Sequence, residues 1–116
     1  MVTHDEIRAI CAHLPGAIES GPPFGFGVAA KGKVRGFLWT WLERVHPKKA
    51  RVPNERFIAL MVPSLSAKDV ILNSNPDVFF TEDHYNGYRA VLVRLDNATI
   101  NDIEALIIDA WRCIAP

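Results

Sequence analysis

The chain has 116 residues, 49% apolar and 22% charged, with thirteen Lys/Arg balanced by thirteen Asp/Glu. That length suits one domain, and a chain of this size buries roughly two-thirds of its unfolded surface, enough for a core without a metal or disulfide staple. No apolar run approaches the ~20 residues that span a bilayer, residues 1–13 lack a basic-then-apolar export pattern, and the pI of about 6.9 lies under the ~9 of dedicated nucleic-acid binders, so a soluble cytoplasmic protein is expected.

Thr3-His4-Asp5-Glu6 is a capping-box pattern, and Ile7, Ile10, Cys11 and Leu14 then recur on one helical face until Pro15-Gly16. Pro22-Pro23 opens a strand over 24–30, and Lys31-Gly32-Lys33 reads as a tight hairpin turn into a strand over 34–42. The alternation of that strand sets Val34, Leu38 and Leu42 against Arg35, Phe37, Trp39 and Trp41. Residues 44–55, with His46, Pro47 and Pro53, read as a solvated loop, and 56–62 as a third strand. Ser66 is expected to cap a short helix over 67–72. Strands follow over 78–81 and 88–95, with an Asn86-Gly87 turn between them. Thr99 with Asp102 caps a last helix that buries Ile103, Leu106, Ile107, Ala110 and Ile114, with Trp111 beside that face. The order is α-β-β-β-α-β-β-α. Hairpin-linked strands bracketed by helices imply an α+β domain, a two-layer α/β sandwich on a mostly antiparallel sheet.

In order and spacing the chain resembles the MmcQ/YjbR family. The likeness rests on Val78-Phe79-Phe80-Thr81, His84-Tyr85-Asn86-Gly87-Tyr88, Val91-Leu92-Val93-Arg94-Leu95, the 106–111 helix and the opening Leu14-Pro15-Gly16 with its Phe-rich hairpin. The resemblance implies a two-layer fold related in shape to type III secretion chaperones, and members of the family are often read as DNA-binding. Many carry a Trp after a basic pair before the last strand; His84-Tyr85-Asn86-Gly87-Tyr88 stands there instead.

The chain holds no Gly-rich phosphate loop, no nucleophile elbow and no His-Glu-x-x-His helix, so neither catalytic residues nor a cofactor are expected. His4, His13 and His46 are scattered. His84, beside Glu82 and Asp83, is the one histidine with a carboxylate neighbourhood suited to acid/base work, though a solvated turn accounts for it as well. Adjacent Glu82, Asp83 and His84 would point alternately on an extended segment, which does not make a metal site. Cys11 and Cys113 read as reduced, buried thiols.

Charge is uneven: residues 1–58 hold nine Lys/Arg against five Asp/Glu, and residues 59–116 hold four against eight. Lys31, Lys33 and Arg35 cluster at the hairpin tip, and Arg44, Lys48, Lys49 and Arg51 form a second basic loop. Both could lie along phosphates or be ordinary solvated turns. Phe37, Trp39 and Trp41 would share one sheet face, forming core if helices cover it and an interaction surface if they do not. The expected function is a non-enzymatic binding module, with DNA bound through the basic hairpin and loop as the reading the family resemblance implies, and protein interaction or self-association through the aromatic face as the alternative.

Overall fold

The computed structural model describes residues 1–44 and 47–115. His46, expected in a loop, lies outside them. The capping boxes at both ends form as the sequence implies. Thr3 accepts from the Glu6 amide while the Glu6 carboxylate accepts from the Thr3 amide, starting α1 (His4–Cys11). Thr99 and Asp102 do the same for α3 (Ile100–Ile114). Each box satisfies donors that a helix start leaves without partners.

Six strands form one antiparallel sheet: β1 (Ala17–Ser20), β2 (Gly25–Ala30), β3 (Lys33–Glu43), β4 (Val52–Met61), β5 (Phe79–Phe80) and β6 (Ala90–Arg94), in the order β1-β2-β3-β4-β6-β5. The α+β sandwich read from the sequence is the architecture observed, with one further strand. β1 was not in the expected order; its four residues are too few and too polar to show alternation. The β2–β3 turn places Lys31 and Gly32 at φ of 51° and 79°, the left-handed pair that a type I′ hairpin requires.

Several boundaries differ from expectation, among them that of the strand expected over 88–95, which spans only Ala90–Arg94. The loop assigned to 44–55 ends earlier, because β4 already pairs with β3 at Val52, Pro53 and Asn54. α2 (Leu65–Ser74) is capped by Ser64, one-half turn before Ser66. Ser64 is extended, and its hydroxyl accepts from the Ala67 amide at 3.0 Å. With Ser64 as the cap, Ser66 lies inside the first turn.

The core lies between the sheet and the α1/α3 pair. Ile7 and Cys11 of α1 and Ile103, Ile107, Ala110 and Ile114 of α3 pack with Phe26, Leu38, Ile58, Leu60, Val91 and Val93. Trp111 closes one margin, its indole N–H donating to the Pro15 carbonyl at 2.9 Å. Among the described residues no helix is long and apolar enough to cross a membrane.

Candidate functional site

Residues paired across neighbouring strands share a face of a sheet. Leu38, Leu60 and Val91 stand in one such row, on the face packed against α3. Trp39, Ala59, Leu92 and Phe80 stand in the next row, on the opposite face. Strict alternation would put Phe37 with Trp39, but β3 is bulged. Phe26 pairs with Leu38 while Gly27 pairs with Gly36, leaving Phe37 without a partner. The extra residue turns Phe37 into the core, where it is 0% exposed and its ring lies 6.4 Å from that of Phe26. Phe37 is therefore core and no part of an interaction face, which corrects the expectation from its spacing.

Trp39 and Trp41 remain on the face that α1 and α3 leave uncovered, and they are spent differently. Trp41 packs edge-on with Phe57 and Phe80 at centroid distances of 5.2 and 5.5 Å, while the Arg94 guanidinium caps Phe80 at 4.1 Å. This cluster covers that half of the face with its own side chains. Its indole N–H is buried and has no partner among the described residues. Trp39 instead faces the segment between β5 and β6, donating its indole N–H to the Tyr85 hydroxyl at 3.0 Å and meeting the Tyr88 ring at 6.4 Å.

That segment is folded back on itself. Amides of Tyr85 and Asn86 donate to the Glu82 carbonyl, that of Tyr88 donates to the Tyr85 carbonyl, and Gly87 takes φ of 79°. Lys68 of α2 pins it from behind. Only 4% of this lysine is exposed, and its ammonium donates to the carbonyls of Tyr85 and Tyr88, the latter at 2.8 Å. Burial holds the Lys68 pKa below the ordinary lysine value, with Asp69 acting against the shift.

Between this segment and the sheet runs an open cleft of about 630 Å³. Its walls are Trp39, Tyr85 and Tyr88 on one side, Pro23 and Ser20 on the other, with Leu42 and Arg51 at one end and His84 on the rim. Tyr88 is 50% exposed and Leu42 43% exposed, so apolar surface is open to a ligand. Burial raises the Tyr85 phenol pKa above its ordinary value, and the Trp39 hydrogen bond works the other way. Arg51 is half-buried. One guanidinium nitrogen donates to the Leu42 carbonyl at 2.9 Å, and the other stands 3.8 Å from Glu82 Oε2.

Of the residues singled out from the sequence, the structure gathers Trp39, Arg51 and His84 and separates the rest. Lys31, Lys33 and Arg35 are exposed at one end of β3, while Arg44, Lys48 and Lys49 are exposed beyond its other end. Residues 36–43 of β3 lie between Arg35 and Arg44, about 30 Å at a rise of about 3.3 Å per residue, so the two basic groups are separate patches. Arg44 is tied within its own loop, donating to the carbonyls of Pro47 and Lys49. His84 is exposed, with no hydrogen bond or ion pair among the described residues. Sequence reasoning missed Tyr85, Tyr88 and Lys68; two tyrosines flanking an Asn-Gly turn were the available signal for the first two.

A second, more polar cleft of about 570 Å³ adjoins the same β1–β2 connection and shares Ser20 with the first, with the His4 ring stacked 4.0 Å from that of Phe24 and Arg8 paired through two nitrogens with Glu19. Arg8 also pairs with Asp5, so the charges there are largely satisfied within the protein.

No family model matches the chain. The uncharacterized proteins Rv2570 of Mycobacterium tuberculosis and Mb2600 of Mycobacterium bovis are each 30% identical to it over 117 aligned positions, covering all of this chain and 91% of theirs. The crystal structure of Deinococcus radiodurans protein DR2400, a DUF419 domain, superposes with a TM-score of 0.71 at 21% identity, over 96% of this chain and 77% of that one. That likeness shows a shared fold, and the DUF419 domain is related to the YjbR/MmcQ-like fold. By sequence over its whole length, the chain belongs to the family of the mycobacterial protein Rv2570.

Proposed function

We propose that this protein is a non-enzymatic interaction module of the MmcQ/YjbR kind, acting in the cytoplasm, which takes a segment of a partner protein in the Trp39–Tyr85–Tyr88 cleft. The observation that carries this reading is the cleft itself: three aromatic rings and Leu42 line an open groove on the sheet face that neither α1 nor α3 covers. Aromatic side chains offer large rigid contact area with one polar tip, which is why they dominate binding hot spots. The test is selection of a phage-displayed random peptide library on the full chain. Enriched peptides should lose binding to Tyr88→Ala and keep it with Lys31→Ala/Lys33→Ala. Enrichment no better than on a blank surface, or binding that follows the hairpin tip, refutes the reading.

A second reading, duplex DNA binding, is favoured by one observation: Lys31, Lys33 and Arg35 are all exposed on a projecting hairpin. It predicts retardation of a duplex that weakens steeply with salt and is lost in the same Lys31→Ala/Lys33→Ala variant. The separation of that tip from the 44–51 loop leaves it few phosphate contacts, which is why the cleft is preferred.

A further inference from the structure

We infer that the partner segment is acidic, with a bulky apolar side chain flanked by carboxylates; this rests on the interaction reading above and names the chemistry the cleft selects. Most of the polar side chains that line the cleft have donor capacity to spare. Arg51 spends one nitrogen on the Leu42 carbonyl, but its approach to Glu82 at 3.8 Å is beyond hydrogen-bond reach, so donor capacity remains. The Tyr85 hydroxyl accepts from Trp39, which leaves its own proton without an acceptor among the described residues. The Ser20 hydroxyl and the His84 ring also line the cleft and have no hydrogen bond among those residues. Thr40 is the exception: its hydroxyl already donates to the Phe24 carbonyl at 2.6 Å and offers only lone pairs.

Charge at the Arg51 end of the cleft is basic, while Asp83, exposed beside His84, puts one carboxylate at the other margin. Leu42 and Arg51 are cleft residues on either side of the β3–β4 connection, so Arg44, Lys48 and Lys49 fall between them in the chain, at that end of the cleft. Arg44 and Lys49 are exposed and form no ion pair among the described residues. The carboxylate nearest in sequence, Glu43, accepts from the Asn54 side-chain amide at 2.9 Å. Glu82 partly offsets Arg51 but does not line the cleft. A basic end on an aromatic groove complements a chain bearing carboxylates beside an aromatic or leucine side chain. It steers that chain at a distance and orients it on contact. The basic loop thus gains a function that does not need it to join the distant hairpin tip on one duplex.

The experiment is fluorescence anisotropy of the full chain with a fluorescein-labelled GEDFEDLG peptide and its amide counterpart GQNFQNLG. The acidic peptide should bind at least about tenfold more tightly, the equivalent of about 1.4 kcal/mol. Arg51→Gln should remove most of that preference, and Tyr88→Ala should weaken both peptides. Arg51 also braces the Leu42 carbonyl, so Lys49→Glu on the exposed rim serves as the second variant, with a several-fold loss for the acidic peptide alone. Equal binding of the two peptides, still lost in Tyr88→Ala, overturns the acidic assignment and leaves the interaction reading standing. Binding indifferent to Tyr88→Ala, or no binding of either peptide, overturns both. Displacement by phenylacetate at comparable concentration, or by a duplex oligonucleotide, overturns the assignment to a protein segment.

Discussion

Replacing Lys68 with methionine tests whether one buried ammonium holds the wall of the cleft. The native side chain is 4% exposed and donates to two backbone carbonyls, those of Tyr85 and Tyr88. Hydrogen bonds from a charged donor are worth ~1.5–3 kcal/mol each, a gross loss of about 3–6 kcal/mol. Two effects offset part of it. Methionine keeps the apolar stem and removes the cost of burying a charge, and carbonyls in a partly exposed segment recover water. A net destabilisation of about 2 kcal/mol is expected, a fall of about 1 M in the urea midpoint for a domain of this size. Linkage gives a second signature. Because burial depresses the Lys68 pKa, the unfolded chain binds more protons between that depressed value and the ordinary ~10.5. Wild-type stability should therefore rise with pH relative to Lys68→Met within that window. Urea unfolding monitored by tryptophan fluorescence, repeated across pH, measures both. A variant as stable as wild type at neutral pH would refute the pinning role.

Gly27 and Gly36 face each other across β2 and β3 but should respond oppositely. A Cβ at Gly27 would stand 2.7 Å from the Arg35 carbonyl oxygen and from Val34, so Gly27→Ala should cost about 1–3 kcal/mol. At Gly36 the nearest atom is 3.8 Å away, and Gly36→Ala should be neutral or stabilise by up to about 1 kcal/mol; thermal unfolding of the pair decides. Tyr85 is the sole tyrosine left in a Tyr88→Phe variant, and its phenolate absorbance should rise with a midpoint above ~10, since burial disfavours the anion. The stability it contributes is full below the unfolded value and is lost as pH rises through the folded one, and a midpoint below ~10 would contradict its burial. Burial pushes the Cys11 thiol up to about 12 and raises that of the half-buried Cys113 as well. A chromogenic disulfide at pH 8 should therefore label Cys113 first and Cys11 only on unfolding, and the reverse order would show that α1 opens readily.

What the sequence discloses here is what short-range chemistry determines. Thr3 with Glu6 and Thr99 with Asp102 are complete signals within four residues, and the Lys31-Gly32-Lys33 turn needs only its own backbone preferences. Ala17 to Ser20 carries no such signal, and it is a strand only because β2 offers it a ladder. Lys68 looks like any solvent-facing helix lysine until the segment over it folds back. The basic residues were legible as two clusters, but their separation along β3 follows from strand length and from where each hairpin turns. Tyr85 and Tyr88 could be seen as aromatics in a polar turn. That they meet Trp39 depends on a packing between residues 46 positions apart.

The two irregularities of β3 explain why its aromatic stripe was only partly readable and how the cleft arises. The register shifts once at Phe37 and again between Thr40 and Trp41, so Trp39 lies on the short regular stretch between two breaks. The first break sends Phe37 to the core, and past the second Trp41 joins Phe57 and Phe80 in a closed cluster. Of three aromatic residues at period-two spacing, only Trp39 is left to line open space. Bulges re-aim side chains at a cost in ladder hydrogen bonds, and they are common beside functional sites. In β3 their combined effect is to leave one ring exposed where a buried lysine, a folded-back tyrosine segment and a half-buried arginine converge. The tyrosine segment of the cleft wall is thus held by contacts outside the core cluster. Loosening it through Lys68→Met should weaken peptide binding more than global stability, whereas Gly36→Ala should leave both intact.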